Sequence, residues 1–284
     1  MNKLCIGPSG NSQIFYDAGF KKSTDAPKFL KKLGLNAYEY SFGRGFTMGE
    51  EKAIKLGEQG VLNKVKISLH APYYINFANP SDEMIQKSIN YVKKSVEYLQ
   101  YFQGEKIVVH TASTGKMTRQ QALDRINVTL KECLKQVKQD FDMTGKYICL
   151  ETMGKYQQIG TYEEIINLCT MDEILIPAFD FGHINCVMQG GLKTQEDYEK
   201  IFNYSFEKLG EFKTKNCHIH FSKIEYGAKG EIKHLDFSDN IYGPEFEPLA
   251  KAIKKLNLTP SIICESKNKM MEDALTIKQI YDSV

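Results

Sequence analysis

The chain has 284 residues, 42% hydrophobic, 25% charged and 11% aromatic. That apolar share fills a sizeable core and excludes a mostly disordered chain. Lys and Arg total 37 against 35 Asp and Glu, a net charge of +2, which excludes a polybasic protein that grips nucleic acid over its whole surface.

Taken in chain order, short β-rich runs alternate with longer helical stretches. The first β-rich run is Lys3–Gly7, and Gly34 is read as a helix stop before the second, Ala37–Phe42. The third is Lys66–His70. Pro80-Ser81 opens a helical run that reaches about Phe102, with Gly104 as its stop before the fourth strand, Lys106–His110. Thr118-Arg-Gln-Gln121 reads as a capping box, in which a hydroxyl and an amide satisfy the free N–H groups of a first turn. Gly145 is read as the stop before the fifth strand, Tyr147–Glu151. A second box, Thr161-Tyr-Glu-Glu164, precedes the sixth strand, Ile176–Asp180. A third, Thr194-Gln-Glu-Asp197, precedes the seventh, Cys217–Phe221, and Ser261–Glu265 is the eighth.

These runs are continuously apolar rather than alternating, as in parallel strands covered on both faces. Eight strand–helix units predict a (β/α)8 TIM barrel. The rival, a doubly wound sheet, usually brings a glycine-rich phosphate loop, and Gly7-Pro8-Ser9-Gly10 lacks the G-x-G-x-x-G spacing. No linker or low-complexity tract divides the chain, so one domain over 1–284 is expected. No apolar run reaches the length of about 18 residues that a membrane span needs. The first residues hold too short an apolar stretch for a signal peptide. The seven cysteines form no C-x-x-C pair and read as reduced and buried, which makes a cytoplasmic protein the expectation.

The polar chemistry falls at strand ends. His70, His110 and His220 end strands or nearly so, as do Glu151, Asp180 and Glu265; His183 and His234 are read in loops after strands. All C-terminal strand ends of a barrel meet at one mouth. So many ionisable groups converging without a cation would be costly to desolvate, which predicts a multi-metal site. Mixed imidazole and carboxylate donors suit Zn²⁺, Mn²⁺ or Fe²⁺. Cys149, Cys217 and Cys264 sit at offsets that point away from the rim or deeper, so they are not read as ligands. His218 and His220 lie two apart and share a face of one strand.

These residues resemble the endonuclease IV family of metal-dependent apurinic/apyrimidinic (AP) endonucleases, which are xylose-isomerase-like barrels. The resemblance runs from about residue 37 to Glu265. Its most specific piece is His70-Ala-Pro-Tyr73-Tyr-Ile-Asn76 with Pro80 beyond, similar to the family's H-x-x-Y-x-I-N segment. His110, Glu151-Thr-Met-Gly, Asp180-Phe-Gly-His183, His220 and Glu265 follow in the family's order. The resemblance implies a cluster of two or three zinc ions. His70 and His110 would hold the first. Glu151 would bridge first and second. Asp180, His220 and Glu265 would complete the second, with Glu151 and Glu265 as catalytic residues. His183 would bind the third. His220 matches the family ligand, leaving His218 as a deeper inward-facing support. One departure stands out. The family's Asp-x-His after strand seven is here Glu231-Ile-Lys-His234; His234 fits, Ile232 occupies the Asp position, and Glu231 would replace the carboxylate only if the chain bends differently.

The implied activity is hydrolysis of the phosphodiester 5′ to an abasic site in duplex DNA, in base-excision repair, by a protein expected to be monomeric. Tyr73 matches a family Tyr that inserts near the lesion. Arg44, in Phe42-Gly-Arg-Gly-Phe46, resembles a recognition-loop Arg. Lys223, Lys229, Lys233, Lys267 and Lys269, interleaved with Tyr226, are candidates for phosphate contacts. The competing reading is a metal-dependent sugar isomerase or epimerase on the same barrel. A binding barrel without catalysis is a third, and the retained Glu151, Asp180 and Glu265 count against it.

Overall fold

The computed structural model describes residues 4–284. Eight parallel strands form a nearly closed barrel: β1 (Cys5–Pro8), β2 (Ala37–Ser41), β3 (Lys66–His70), β4 (Lys106–Val109), β5 (Tyr147–Glu151), β6 (Leu175–Asp180), β7 (His218–Phe221) and β8 (Ser261–Cys264). Neighbours around the sheet are neighbours in sequence, from β2 through β8 to β1. Each strand lies within two residues of its expected bounds; Lys3, the expected start of the first, lies outside the described residues. Thr118 and Thr161 form the expected capping boxes with Gln121 and Glu164. In the third box Asp197 reaches the backbone N–H of Thr194 as Glu164 reaches that of Thr161, and its carboxylate also accepts from the Thr194 hydroxyl.

Gly145 is a correction. The helix before it, Arg119–Asp140, stops five residues earlier at an extended Phe141. Gly145 instead takes a positive φ of 69° in the turn that leads into β5. The sequence pattern marked a turn there and mistook it for the helix end.

The seam between β1 and β2 is closed by one side chain. Asn36 Oδ1 accepts from Ile6 N–H at 2.8 Å and Asn36 Nδ2 donates to Leu4 O at 3.1 Å. Its own N–H reaches Ile6 O at 3.1 Å. The strands approach so closely that a Cβ on Gly7 would lie 1.8 Å from Ala37 O.

Strand alternation sorts the side chains into two environments. Outward residues such as Leu69, Val109, Leu150, Phe179, Phe221 and Ile262 join the large core between barrel and helices. Inward ones form two small clusters, Val108–Cys149–Ile176–Ala178 and Cys5–Ala37–Ile263. Two residues on from each inward position the next inward side chain stands nearer the mouth. Val108, Cys149, Ala178 and Ile263 are thus followed by His110, Glu151, Asp180 and Glu265. All seven cysteines are buried, and burial pushes the Cys149 thiol up to about 12. Among the described residues no helix is long and apolar enough to cross a membrane.

The seam yields a test. Gly7→Ala forces β1 and β2 apart and is expected to cost about 3 kcal/mol in urea unfolding, the upper range for overpacking a tight site. A loss below about 0.5 kcal/mol would show that the seam can open freely.

Candidate metal centre

At the mouth, Glu151 stands between three imidazoles. Its Oε2 lies 3.2 Å from His70 Nε2 and 2.9 Å from His110 Nε2, and its Oε1 lies 2.8 Å from His220 Nδ1. One carboxylate therefore faces two donor groups at once. His70, His110 and Glu151 form the first; Glu151, Asp180, His220 and Glu265 form the second, with the donor atoms of each group within 4.8 Å of one another. Glu265, one residue past β8, lies 3.5 Å from His220 Nδ1.

Asp180 ends β6 and caps the short helix Phe181–Val187. Its Oδ1 accepts from His183 N–H at 2.8 Å, which leaves Oδ2 turned elsewhere. Oδ2 is buried and has no hydrogen-bond partner. His183 Nδ1 is 3.3 Å away, but that nitrogen is directed at Thr152 O, 2.9 Å distant. A buried carboxylate oxygen without a donor is costly unless a cation meets it. This orphaned oxygen, set among imidazoles and further carboxylates, fits a divalent ion.

A third group joins His183, Glu231 and His234. The expected loop positions are corrected here. His183 lies in the first turn of Phe181–Val187, and Glu231 and His234 lie on the second strand of a hairpin, Lys223–Gly227 paired with Gly230–Leu235. In a regular strand, residues three apart face opposite ways. The hairpin register shows why this pair does not. Glu225 faces Lys233 and Tyr226 faces Glu231, so Ile232 has no partner and forms a β-bulge. The extra residue restores the common face that an Asp-x-His spacing has without it. Glu231 Oε2 reaches to 3.5 Å from His183 Nε2, and Oε1 to 3.8 Å from His234 Nε2. The hairpin is docked by Glu231 N–H donating to Gly154 O at 2.8 Å. A Cβ on Gly230 would lie 2.1 Å from that same oxygen.

Sequence reasoning missed Glu39. It lies inside the expected second strand, not at its end, on the inward side of β2, and it is fully buried. Glu39 Oε1 is 2.8 Å from His220 Nε2, and Oε2 is 3.0 Å from His218 Nε2. The signal was present: a lone acid in an otherwise uncharged strand, Ala37-Tyr-Glu39-Tyr-Ser41. His218 takes the deeper, inward position expected of it, fully buried.

Tyr73 is 53% exposed and stacks on His110, centroids 5.1 Å apart with a 21° tilt. Arg44 is exposed in the loop after β2, next to Gly43, against which the Tyr73 ring packs. Lys229, Lys267 and Lys269 are exposed. Lys223 is corrected. It is buried, and its Nζ donates to Asp239 O at 2.8 Å and to Glu245 at 2.7 Å. That lysine holds the segment after the hairpin rather than meeting a phosphate. Lys233 is paired with Glu225 at 2.8 Å.

The electrostatics follow from crowding. Burial opposes a charged His70, yet Glu151, Glu39 and Glu265 outweigh it and hold the imidazole up at about 9. His183 is held at about 9 likewise, against burial, by Asp180, Glu231, Glu151 and Glu265. Burial brings His218 down to about 4 and lowers His110. Burial also raises Glu265. An imidazolium cannot bind a metal. Raised above the ordinary 6.5, His70 and His183 keep their protons until pH approaches 9. Metal uptake near pH 7 must therefore expel those protons. Affinity of the metal-free protein for Zn²⁺ should rise with pH up to about 9, by roughly tenfold per unit for each proton displaced. Calorimetry at pH 7 in buffers of different ionisation enthalpy should show release of at least the two protons from His70 and His183. Affinity independent of pH between 6.5 and 9 would contradict this reading.

The comparisons with known proteins agree with the barrel. Residues 27–280 match the family model described as the xylose isomerase-like TIM barrel. Uncharacterized protein MJ0133 of Methanocaldococcus jannaschii is 31% identical over 278 residues, 95% of this chain and 97% of that one. Probable endonuclease 4 of Staphylococcus carnosus is 29% identical over 279 residues, 94% of this chain and 87% of that one. Among solved structures, endonuclease IV from Thermus thermophilus superposes with a TM-score of 0.68 at 16% identity, over 92% of this chain and 95% of that one. A D-tagatose 3-epimerase-like protein superposes at 0.67 with 20% identity, over 88% of each chain. At such identities the two superpositions show the fold alone, while the match over residues 27–280 is to sequence as well: the chain belongs to the xylose isomerase-like TIM barrel family.

Proposed function

We propose that this protein is a divalent-metal-dependent phosphodiesterase of the endonuclease IV type, cutting duplex DNA 5′ to abasic sites. One observation carries the reading: three donor groups lie side by side, two of them sharing Glu151. Proton transfer on a sugar needs one such group, and Glu151–Asp180–His220–Glu265 would suffice for it. The His70–His110 pair and the His183–Glu231–His234 group are surplus to that chemistry. They suit phosphoryl transfer, in which closely spaced ions clamp the attacking and leaving oxygens. The curated relatives called probable endonuclease 4, matched over nearly the whole chain, support the same reading.

The residues divide the work. His70, His110 and one oxygen of Glu151 would hold the first ion, which we take as Zn²⁺, with Mn²⁺ or Fe²⁺ as alternatives. The other oxygen of Glu151, with Asp180 Oδ2, His220 and Glu265, would hold the second. Glu231, carried into reach by the bulge, would complete a third with His183 and His234. Bound there, such ions lower the pKa of water and take up charge from the phosphate. Tyr73 shields His110 from bulk water with one face of its ring and presents its exposed side to a substrate, where it would stack on a sugar or base beside the gap. Arg44 and the exposed Lys267 and Lys269 would meet backbone phosphates, which predicts salt-sensitive binding. The sugar isomerase or epimerase reading rests on the fold and on the sufficiency of the second group.

The test is nicking of a duplex with one abasic analogue that cannot undergo β-elimination. Metal-loaded protein should cut 5′ to the lesion. Glu265→Gln should lose at least about a hundredfold in rate, since it removes a ligand and even outer partners cost 10–100-fold, while its circular dichroism stays unchanged. Absence of nicking by protein with measured bound metal would sink the proposal and direct attention to ketose–aldose interconversion. Separately, Glu231→Ala and His234→Ala should each lower bound zinc by one ion per chain in elemental analysis. Unchanged zinc content in both would remove the hairpin from the centre.

A further inference from the structure

Every histidine near the centre except His220 whose outer nitrogen has a hydrogen-bond partner is held by a neutral partner. His70 Nδ1 meets Ala71 O at 2.8 Å, His183 Nδ1 meets Thr152 O at 2.9 Å, and His234 Nδ1 meets Ser222 Oγ at 2.9 Å. His220 differs. Its outer nitrogen, Nε2, lies 2.8 Å from the Glu39 carboxylate, and its inner one, Nδ1, faces Glu151 and Glu265. Glu39 is itself held by one hydroxyl donor besides His220. Ser68 Oγ donates to its Oε2 at 2.7 Å. His218, one inward position deeper on β7, lies 3.0 Å from the same oxygen but out of line for a hydrogen bond, and both its ring nitrogens are buried without a hydrogen-bond partner. All three side chains, Glu39, His218 and His220, are closed off from solvent.

We infer that Glu39 is the positioning carboxylate of the metal centre: it accepts the Nε2–H of His220 and thereby commits Nδ1 to the ion shared with Glu151, Asp180 and Glu265. A carbonyl would fix the tautomer as well. A full negative charge also makes the ring a stronger donor and resists rotation of the imidazole when the ion leaves. The inference rests on the metal centre of the proposed function and not on its substrate. A rival use of the same atoms is a separate deep ion held by Glu39, His218 and His220, whose donor atoms also lie within 4.8 Å of one another.

The experiment is Co²⁺ loading of the metal-free full chain, wild type beside Glu39→Gln, Ser68→Ala and His218→Asn. Competition with a chelating dye gives affinity, titration gives ions per chain, and the visible absorption of Co²⁺ reports its ligand field. Glu39→Gln keeps an oxygen to accept from His220 but removes the charge. It is expected to bind the same number of ions with affinity lowered about 10–100-fold, with a shifted absorption band and a metal-free melting temperature that is not lowered. Ser68→Ala, a smaller change for use if Glu39→Gln does not fold, should weaken affinity in the same direction by less. His218→Asn should leave affinity and band as in wild type. Unchanged affinity and spectrum in Glu39→Gln and Ser68→Ala would overturn the inference and make Glu39 a buried core polar group. Loss of one ion per chain in Glu39→Gln or His218→Asn would overturn it in favour of the deep ion. None of these readouts involves DNA. Cobalt binding as expected without nicking would fail the substrate reading alone, and nicking with unchanged cobalt affinity in Glu39→Gln would fail this inference alone.

Discussion

Two oxygens of one buried carboxylate meet three imidazoles from three different strands. Glu151 takes His70 and His110 on one side and His220 on the other, and the remaining groups of the mouth are arranged around that division. It works because β3, β4, β5 and β7 all run the same way and end at one mouth. The parallel register staggers them in steps around the barrel: His70 pairs with Val108, Glu151 with Ala178 and Asp180 with His220. The strand order in turn depends on closure at the β1–β2 seam, where Asn36 supplies hydrogen bonds across the gap and Gly7 supplies the close approach. A defect at the seam would loosen the far side of the mouth without touching a ligand.

Most of this was legible in the sequence because two periodicities coincide. Continuous apolar runs of four to six residues mark strands covered on both faces, and a polar residue closing such a run marks the mouth. His70, Glu151, Asp180 and Glu265 were found that way. The same rule hid Glu39. It sits one inward step below the end of β2, and a search confined to strand ends passes over the second layer. Inward parity would have found it, since Ala37, Glu39 and Ser41 share a face. The lysines failed for another reason. A charged side chain in a segment after a strand gives no sign of whether it meets solvent, and Lys223 is spent on Asp239 and Glu245.

The interior of this barrel is divided by chemistry more than by size. Small apolar side chains fill its lower part in two separate clusters. Glu39, Ser68 and His218 form a polar layer beside them, under the mouth. Such a layer is poor filling, since each buried polar group needs a partner and His218 has none in hydrogen-bonding line. Its presence is accounted for by what stands above it. Imidazoles turn freely about one bond, and a centre assembled from five of them needs their orientation set before an ion arrives. Backbone carbonyls do this for His70 and His183. For His220 a side chain from β2, Glu39, takes that part.

The bulge at Ile232 separates two properties of a strand that are usually tied together. Lengthening a strand by one residue normally turns everything beyond it to the opposite face. Here the inversion is absorbed between Glu231 and Lys233 and goes no further, because the added residue drops out of the ladder. The hairpin can therefore gain or lose one residue at that point at the cost of local twist and not of which way its acid and imidazole look. Whether the interval between such a pair is odd or even carries no information, at this corner of the barrel, about whether the two converge.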